Sequence, residues 1–130
     1  MKTLFLVEDN QDNADLIRDL LGDFYHVHYF PDGPSALTAL GKSGASLPDL
    51  FLLDISLPGM DGTTLLQQLR QDARWKSIPA VALTAHAMKS DKESLIAAGF
   101  NAYLSKPITD DQLLLDTIEE QLSNPVQAAA

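Results

Sequence analysis

The chain has 130 residues, 45% of them hydrophobic, and carries nine basic against eighteen acidic side chains for a net charge of −9. That length suits one domain able to bury roughly two-thirds of its unfolded surface; the apolar share argues against disorder, and the negative charge repels the phosphate backbone on which direct nucleic-acid binding depends. Cysteine is absent, which removes disulfides, thiolate metal sites and cysteine nucleophiles.

In chain order, the apolar run Thr3 to Val7 predicts a first strand. Glu8 and Asp9 follow it at once, too early for a signal peptide. A helix is expected from about Asn13 to Leu21, with Ala14, Ile17, Leu20 and Leu21 on one face and Gly22 at its end. A second strand, His26 to Phe30, leads through the turn Pro31-Asp32-Gly33 to a helix carrying Ala36, Leu37 and Leu40. After a polar loop from Gly41 to Pro48, Leu50-Phe51-Leu52-Leu53 reads as a strand covered on both faces, closed by Asp54. The loop Pro58 to Gly62 precedes a helix with Leu65, Leu66 and Leu69. A fourth strand, Ala80 to Leu83, is followed by a helix ending near Ala98, where Gly99 has the chemistry of a C-terminal cap. A short fifth strand, Ala102 to Leu104, precedes Ser105-Lys106-Pro107, and a last helix from Thr109 is expected to bury Leu114, Ile118 and Leu122.

Five repeats of strand then helix predict an α/β fold, a doubly wound five-stranded parallel sheet with helices on both faces. Residues 1–124 read as one domain and 125–130 as a flexible tail. Neither Leu50 to Leu53 nor Ala80 to Leu83 is long enough to span a bilayer, so a cytoplasmic protein without membrane contact is expected. No output domain follows the last helix within this sequence, which leaves open a lone regulator or a piece of a longer one.

In open parallel sheets, ligands bind beyond the C-terminal ends of the strands. Glu8 and Asp9 follow the first strand, Asp54 the third, Thr84 the fourth and Lys106 the fifth. Only the second strand contributes nothing comparable. Three gathered carboxylates repel one another unless protons or a cation offset the charge. Mg2+ suits them, since it takes oxygen ligands and is commonly held by one or two carboxylates plus phosphate oxygens. Asp54 could then attack an incoming phosphorus to form an acyl phosphate. Lys106 would pair with one phosphoryl oxygen and the Thr84 hydroxyl would hydrogen-bond another.

Each residue alone has a plainer reading. Glu8 and Asp9 could simply precede a helix cap at Asn10 or Asp12, Lys106 could be a surface charge, and Tyr103 could be a packing residue. Their shared placement at one sheet edge favours the functional reading. His26 and His28 share a face of an edge strand but lack further ligands, and His86 reads equally as a loop residue. The acidic stretch Asp9 to Asp15 fails as a calcium loop, because Ala14 stands where glycine is required and Leu20 where the last carboxylate belongs.

The segments Val7-Glu8-Asp9-Asn10, Asp54-Ile55-Ser56-Leu57-Pro58-Gly59-Met60-Asp61-Gly62, Leu83-Thr84-Ala85 and Tyr103-Leu104-Ser105-Lys106-Pro107 together resemble the response-regulator receiver family of two-component signalling, the CheY-like fold. The resemblance runs from Leu4 to about Leu122. It implies strand order 2-1-3-4-5, phosphate acceptance by Asp54, direct Mg2+ binding by Asp9, a contribution from Glu8 through metal-bound water, and the backbone carbonyl of Ser56 as a further ligand. It also implies a conformational switch at Thr84 and Tyr103 and a cis bond between Lys106 and Pro107. The implied partners are a sensor histidine kinase or histidine phosphotransfer protein as donor, and a downstream protein met by the face of the fourth helix, fifth strand and fifth helix. Catalysis would extend only to the domain's own phosphorylation and dephosphorylation.

Three rivals fit less well. A haloacid-dehalogenase-like phosphatase would carry an aspartate where Ser56 stands, and a flavodoxin-like carrier would have a Ser, Thr and Gly-rich first loop where this one is acidic. A receiver that binds partners without phosphorylation has no need of the intact set Glu8, Asp9, Asp54, Thr84 and Lys106.

Overall fold

The two uninterrupted apolar runs become the centre of one parallel sheet. A computed structural model describes residues 2–42, 47–57, 59–85, 89–106, 108 and 110–123, the side chains of Lys89 and Ser90 apart. Among the described residues, strands β1 (Thr3–Val7), β2 (His26–Phe30), β3 (Leu50–Asp54), β4 (Ala80–Thr84) and β5 (Ala102–Ser105) alternate with helices α1 (Gln11–Leu21), α2 (Gly33–Gly41), α3 (Gly62–Gln71), α4 (Lys89–Ala98) and α5 (Asp111–Leu122). The strand order is β2-β1-β3-β4-β5 and every neighbouring pair is parallel, which matches the expected fold. None of the described helices is long and apolar enough to cross a membrane.

Alternation along the central strands sorts the core into two layers. Phe5, Val7, Phe51, Leu53, Ala80 and Ala82 pack with Ala36, Leu40, Leu65, Leu66, Leu69 and Leu95, beneath α2, α3 and α4. Leu4, Leu6, Leu50, Leu52, Val81 and Leu83 turn the other way, towards Ala14, Ile17, Leu21, Leu114 and Ile118 of α1 and α5. Every residue of β3 and β4 is buried, so these strands show no polar alternation. Each fully buried leucine contributes about 1.5–3 kcal/mol. At the sheet edge, His26 and His28 are exposed.

Helix starts follow from capping chemistry. Asn10, Asp32, Asp61 and Asp110 each accept a hydrogen bond from the backbone N–H three residues on, satisfying a donor with no partner inside the helix. These caps correct the expected helix starts, and Gly62, expected in a loop, opens α3 because Asp61 caps it. α1 begins at Gln11 rather than near Asn13 because Asn10 is its cap. α2 begins at Gly33, which the sequence reading placed in a turn, because Asp32 caps it and Pro34 suits its first turn. α5 begins at Asp111 because Asp110 caps it, and Thr109, the expected start, lies outside the described residues. Leu122 is half-buried, whereas Gln121 before it is buried. Residues 43–46 of the polar loop, Pro58 and the tail beyond Ser123 also lie outside the described residues.

Gly99 fulfils its expected capping role. It has φ 112°, its N–H donates to Ile96 and the N–H of Phe100 donates to Leu95. This paired closure needs a left-handed residue, which glycine supplies at little cost.

Candidate functional site

The charged candidate side chains sit where strands give way to their loops. Glu8 follows β1, and its N–H donates to the carbonyl of Phe30 at 3.1 Å, so the β1–β2 ladder carries it into place. Its side chain is fully buried, and its Oε1 accepts the N–H of Asn10 at 3.1 Å. Asp9 is exposed. Asp54 ends β3 at 1% exposure, and its Oδ1 accepts the N–H of Ser56 at 3.0 Å, an Asx-type turn that orients the carboxylate.

Lys106 arrives from the far side of β4. Its N–H donates to the carbonyl of Thr84 at 2.8 Å, extending the β4–β5 ladder by one bond. Its ammonium lies 3.0 Å from Oδ2 of Asp54 and 3.2 Å from Oε2 of Glu8, and donates to Glu8 Oε1 at 3.3 Å. Thr84 closes β4, buried at 4% exposure, with its backbone opposite Ser105.

One glycine makes the arrangement possible. A Cβ on Gly62 would run into the carbonyl oxygen of Asp54, and the Gly62 N–H donates to Ile55 at 2.9 Å. The start of α3 is therefore pressed directly against the end of β3, a closeness only glycine permits.

Glu8, Asp9 and Asp54 each offer a carboxylate oxygen, all within 4.8 Å of one another. One ammonium cannot neutralise three such charges. Burial, the hydrogen bond and the field of Asp54 therefore push the Glu8 carboxyl up to about 7, although the Asn10 N–H and Lys106 work in the opposite direction. Burial alone would lower the Lys106 ammonium, but the hydrogen bond to Asp54 and the fields of Asp54 and Glu8 outweigh it and hold it above the usual lysine range. Glu8 Oε2 is buried and lacks a hydrogen-bond donor in good geometry, although Lys106 is within ion-pairing distance. A hard divalent cation with oxygen ligands fits this set of donors, supplying the missing positive charge and a partner for the orphaned oxygen.

The structure thus brings Glu8, Asp9, Asp54 and Lys106 into one cluster, with Thr84 joined through its backbone to Lys106. Ser56 is adjacent through its N–H. Tyr103 stands apart, half-buried on β5 opposite Ala82 and packed on the α2–α3–α4 side. His86 and Pro107 lie outside the described residues, and among those described His26 and His28 join no cluster of metal-binding type.

Sequence reasoning passed over two features near the site. Tyr29 of β2 packs against the α1–α5 layer; burial and the fields of Glu8, Asp15 and Asp9 raise its phenol, against the opposing influence of Arg18, whose guanidinium lies 5.8 Å from the ring centroid. The other is the backbone N–H of Asn10, whose only sequence signal was its place as a cap.

Comparison with known proteins gives a consistent picture. The response regulator receiver domain family matches residues 4–118. The chain is 37% identical over 124 residues to the polar-differentiation response regulator DivK of Brucella anthropi, a match covering 95% of this chain and 98% of that protein. Among solved structures, the receiver domain of a sensor histidine kinase from Pseudomonas aeruginosa PAO1, with a magnesium ion coordinated in its active-site cleft, is 31% identical with a TM-score of 0.81, covering 94% of this chain and 98% of that one. The phosphorylated cyanobacterial phytochrome response regulator RcpA is 29% identical with a TM-score of 0.78, covering 99% and 96%.

Proposed function

This chain belongs to the response regulator receiver family and is a receiver domain of two-component signalling; from that premise we propose that it takes a phosphoryl group onto Asp54 beside a bound Mg2+ and changes its protein partners as a result. What supports this most is the convergence of three carboxylates and one ammonium on a single strand end, with Asp54 hydrogen-bonded to both the Lys106 ammonium and the Ser56 N–H.

Asp9, Asp54 and the backbone carbonyl of Ser56 would hold the ion, with Glu8 acting through metal-bound water. When bound, the ion would draw charge from the phosphoryl oxygens and lower repulsion against the incoming group. The chain's own residues do the rest. Asp54 attacks the phosphorus of a phosphohistidine, so that an O–P bond forms as the N–P bond breaks and the electron pair returns to the imidazole. Lys106 exchanges its contact with the carboxylate for one with a phosphoryl oxygen, and the Thr84 hydroxyl binds another. Hydrolysis of the acyl phosphate by water ends the signal, and no other turnover is proposed.

The donor would be a sensor histidine kinase or a histidine phosphotransfer protein, and the downstream protein would meet the face of α4, β5 and α5 after Thr84 and Tyr103 rearrange. We take residues 1–124 as the working unit, with 125–130 as its tail, in the cytoplasm. The test is intact-mass analysis with acetyl phosphate and Mg2+: one phosphoryl group is gained, mild base removes it, and chelation of the metal prevents it. A protein whose mass is unchanged with the ion present contradicts the proposal.

A further inference from the structure

Tyr103 lines two surface depressions on the seam of α4 and β5. One continues along α5 past Leu113 and Thr117, the other lies against Ala97, and Lys92, Ile96 and Tyr103 line both. These three side chains are thus common to both. Lys92 and Ile96 are one helical turn apart, so both side chains meet β5 from the same face of α4.

The Lys92 ammonium lies 5.2 Å from the centroid of the Tyr103 ring, within the range of cation–π attraction. Among the described residues Lys92 forms no ion pair, although the chain carries eighteen acidic side chains. The ring face is the partner that the geometry gives it. Tyr103 pairs with Ala82, and Thr84 with Ser105, in the same parallel ladder, so Tyr103 and Thr84 project from one face of the sheet. A ring that turned towards Thr84 would leave the ammonium behind.

We propose that Lys92 is a positioning residue for the switch: its ammonium holds Tyr103 at the surface, where it lines both depressions, and opposes the inward turn that accompanies phosphorylation. This rests on the reading of Thr84 and Tyr103 as the switch pair. Lys92 would therefore set the resting balance between the two positions of the ring. Loss of one partly exposed cation–π contact shifts such a balance by about two- to five-fold.

The test compares wild type, Lys92→Met and Lys92→Arg labelled with 3-fluorotyrosine. Methionine keeps length and helix propensity without the charge, and Tyr103→Phe assigns the resonance. In wild type the Tyr103 signal moves on titration with beryllofluoride and Mg2+. In Lys92→Met the signal without ligand already lies part of the way to that end point, and the beryllofluoride midpoint falls about two- to five-fold. Lys92→Arg behaves as wild type. A wild-type signal that moves while Lys92→Met matches it in resting position and midpoint overturns the role of Lys92 alone. A wild-type Tyr103 signal that never moves overturns the switch reading and this proposal together.

Discussion

The ammonium of Lys106 lies 3.0 Å from Oδ2 of Asp54 although 52 positions separate the two in the chain. The contact spans β4, because Lys106 follows β5 and Asp54 ends β3. Backbone ladders hold it: Ile55 donates to Leu83 and Lys106 donates to Thr84 at the same end of β4. Substitutions that displace the end of β3 should therefore disturb the site even where they touch no charged group.

Gly62 and Gly41 make the sharpest pair for testing this. Gly62→Ala forces a Cβ into the Asp54 carbonyl, so a loss of about 2–4 kcal/mol is expected. At Gly41 a Cβ meets nothing within 4 Å, and Gly41→Ala should stabilise by up to about 1 kcal/mol. Urea denaturation of both variants checks the contrast; equal effects would contradict the close approach at Gly62.

Without metal, Glu8 should make stability fall as pH rises. Its folded pKa of about 7 lies above its ordinary value of 4.5, so the native state holds the proton more tightly than the unfolded chain. That contribution is fully present below about pH 4.5 and is lost as pH climbs through about 7. In chelator, wild type should lose stability relative to Glu8→Gln across that window. Mg2+ should raise the melting temperature more at about pH 8 than at about pH 5. Equal increments at both would show that Glu8 does not titrate there.

Asp9 and Asp32 separate metal binding from helix capping. Asp9→Ala should weaken Mg2+ binding at least about tenfold in a calorimetric titration. Asp32 instead accepts the Ser35 N–H at 2.8 Å to cap α2, so Asp32→Ala should cost about 1 kcal/mol of stability and leave Mg2+ affinity in place. Comparable weakening in both variants would contradict the assigned ligand set.

How much was legible in the sequence depended on range. Leu50 to Leu53 and Ala80 to Leu83 announced central strands because burial on both faces leaves an unbroken apolar run. Asp54, Thr84 and Lys106 could be placed at one sheet edge because each stands within two residues of the end of a recognisable strand. The helix starts were harder: capping by Asn10, Asp32 and Asp110 competes with equally polar neighbours, and only the backbone dihedrals decide. The approach of Gly62 to Asp54 and the stacking of Arg18 on Tyr29 depend on how separate elements pack, which no local pattern encodes.

Everything turns on which atom receives the phosphoryl group. Borohydride reduction of protein treated with acetyl phosphate and Mg2+, followed by peptide mass mapping, converts an aspartyl phosphate into homoserine at the modified position. Homoserine at residue 54 alone, absent in chelator and absent from Asp54→Asn, is the predicted result. Homoserine at residue 9, or a phosphoryl group retained in Asp54→Asn, would contradict it.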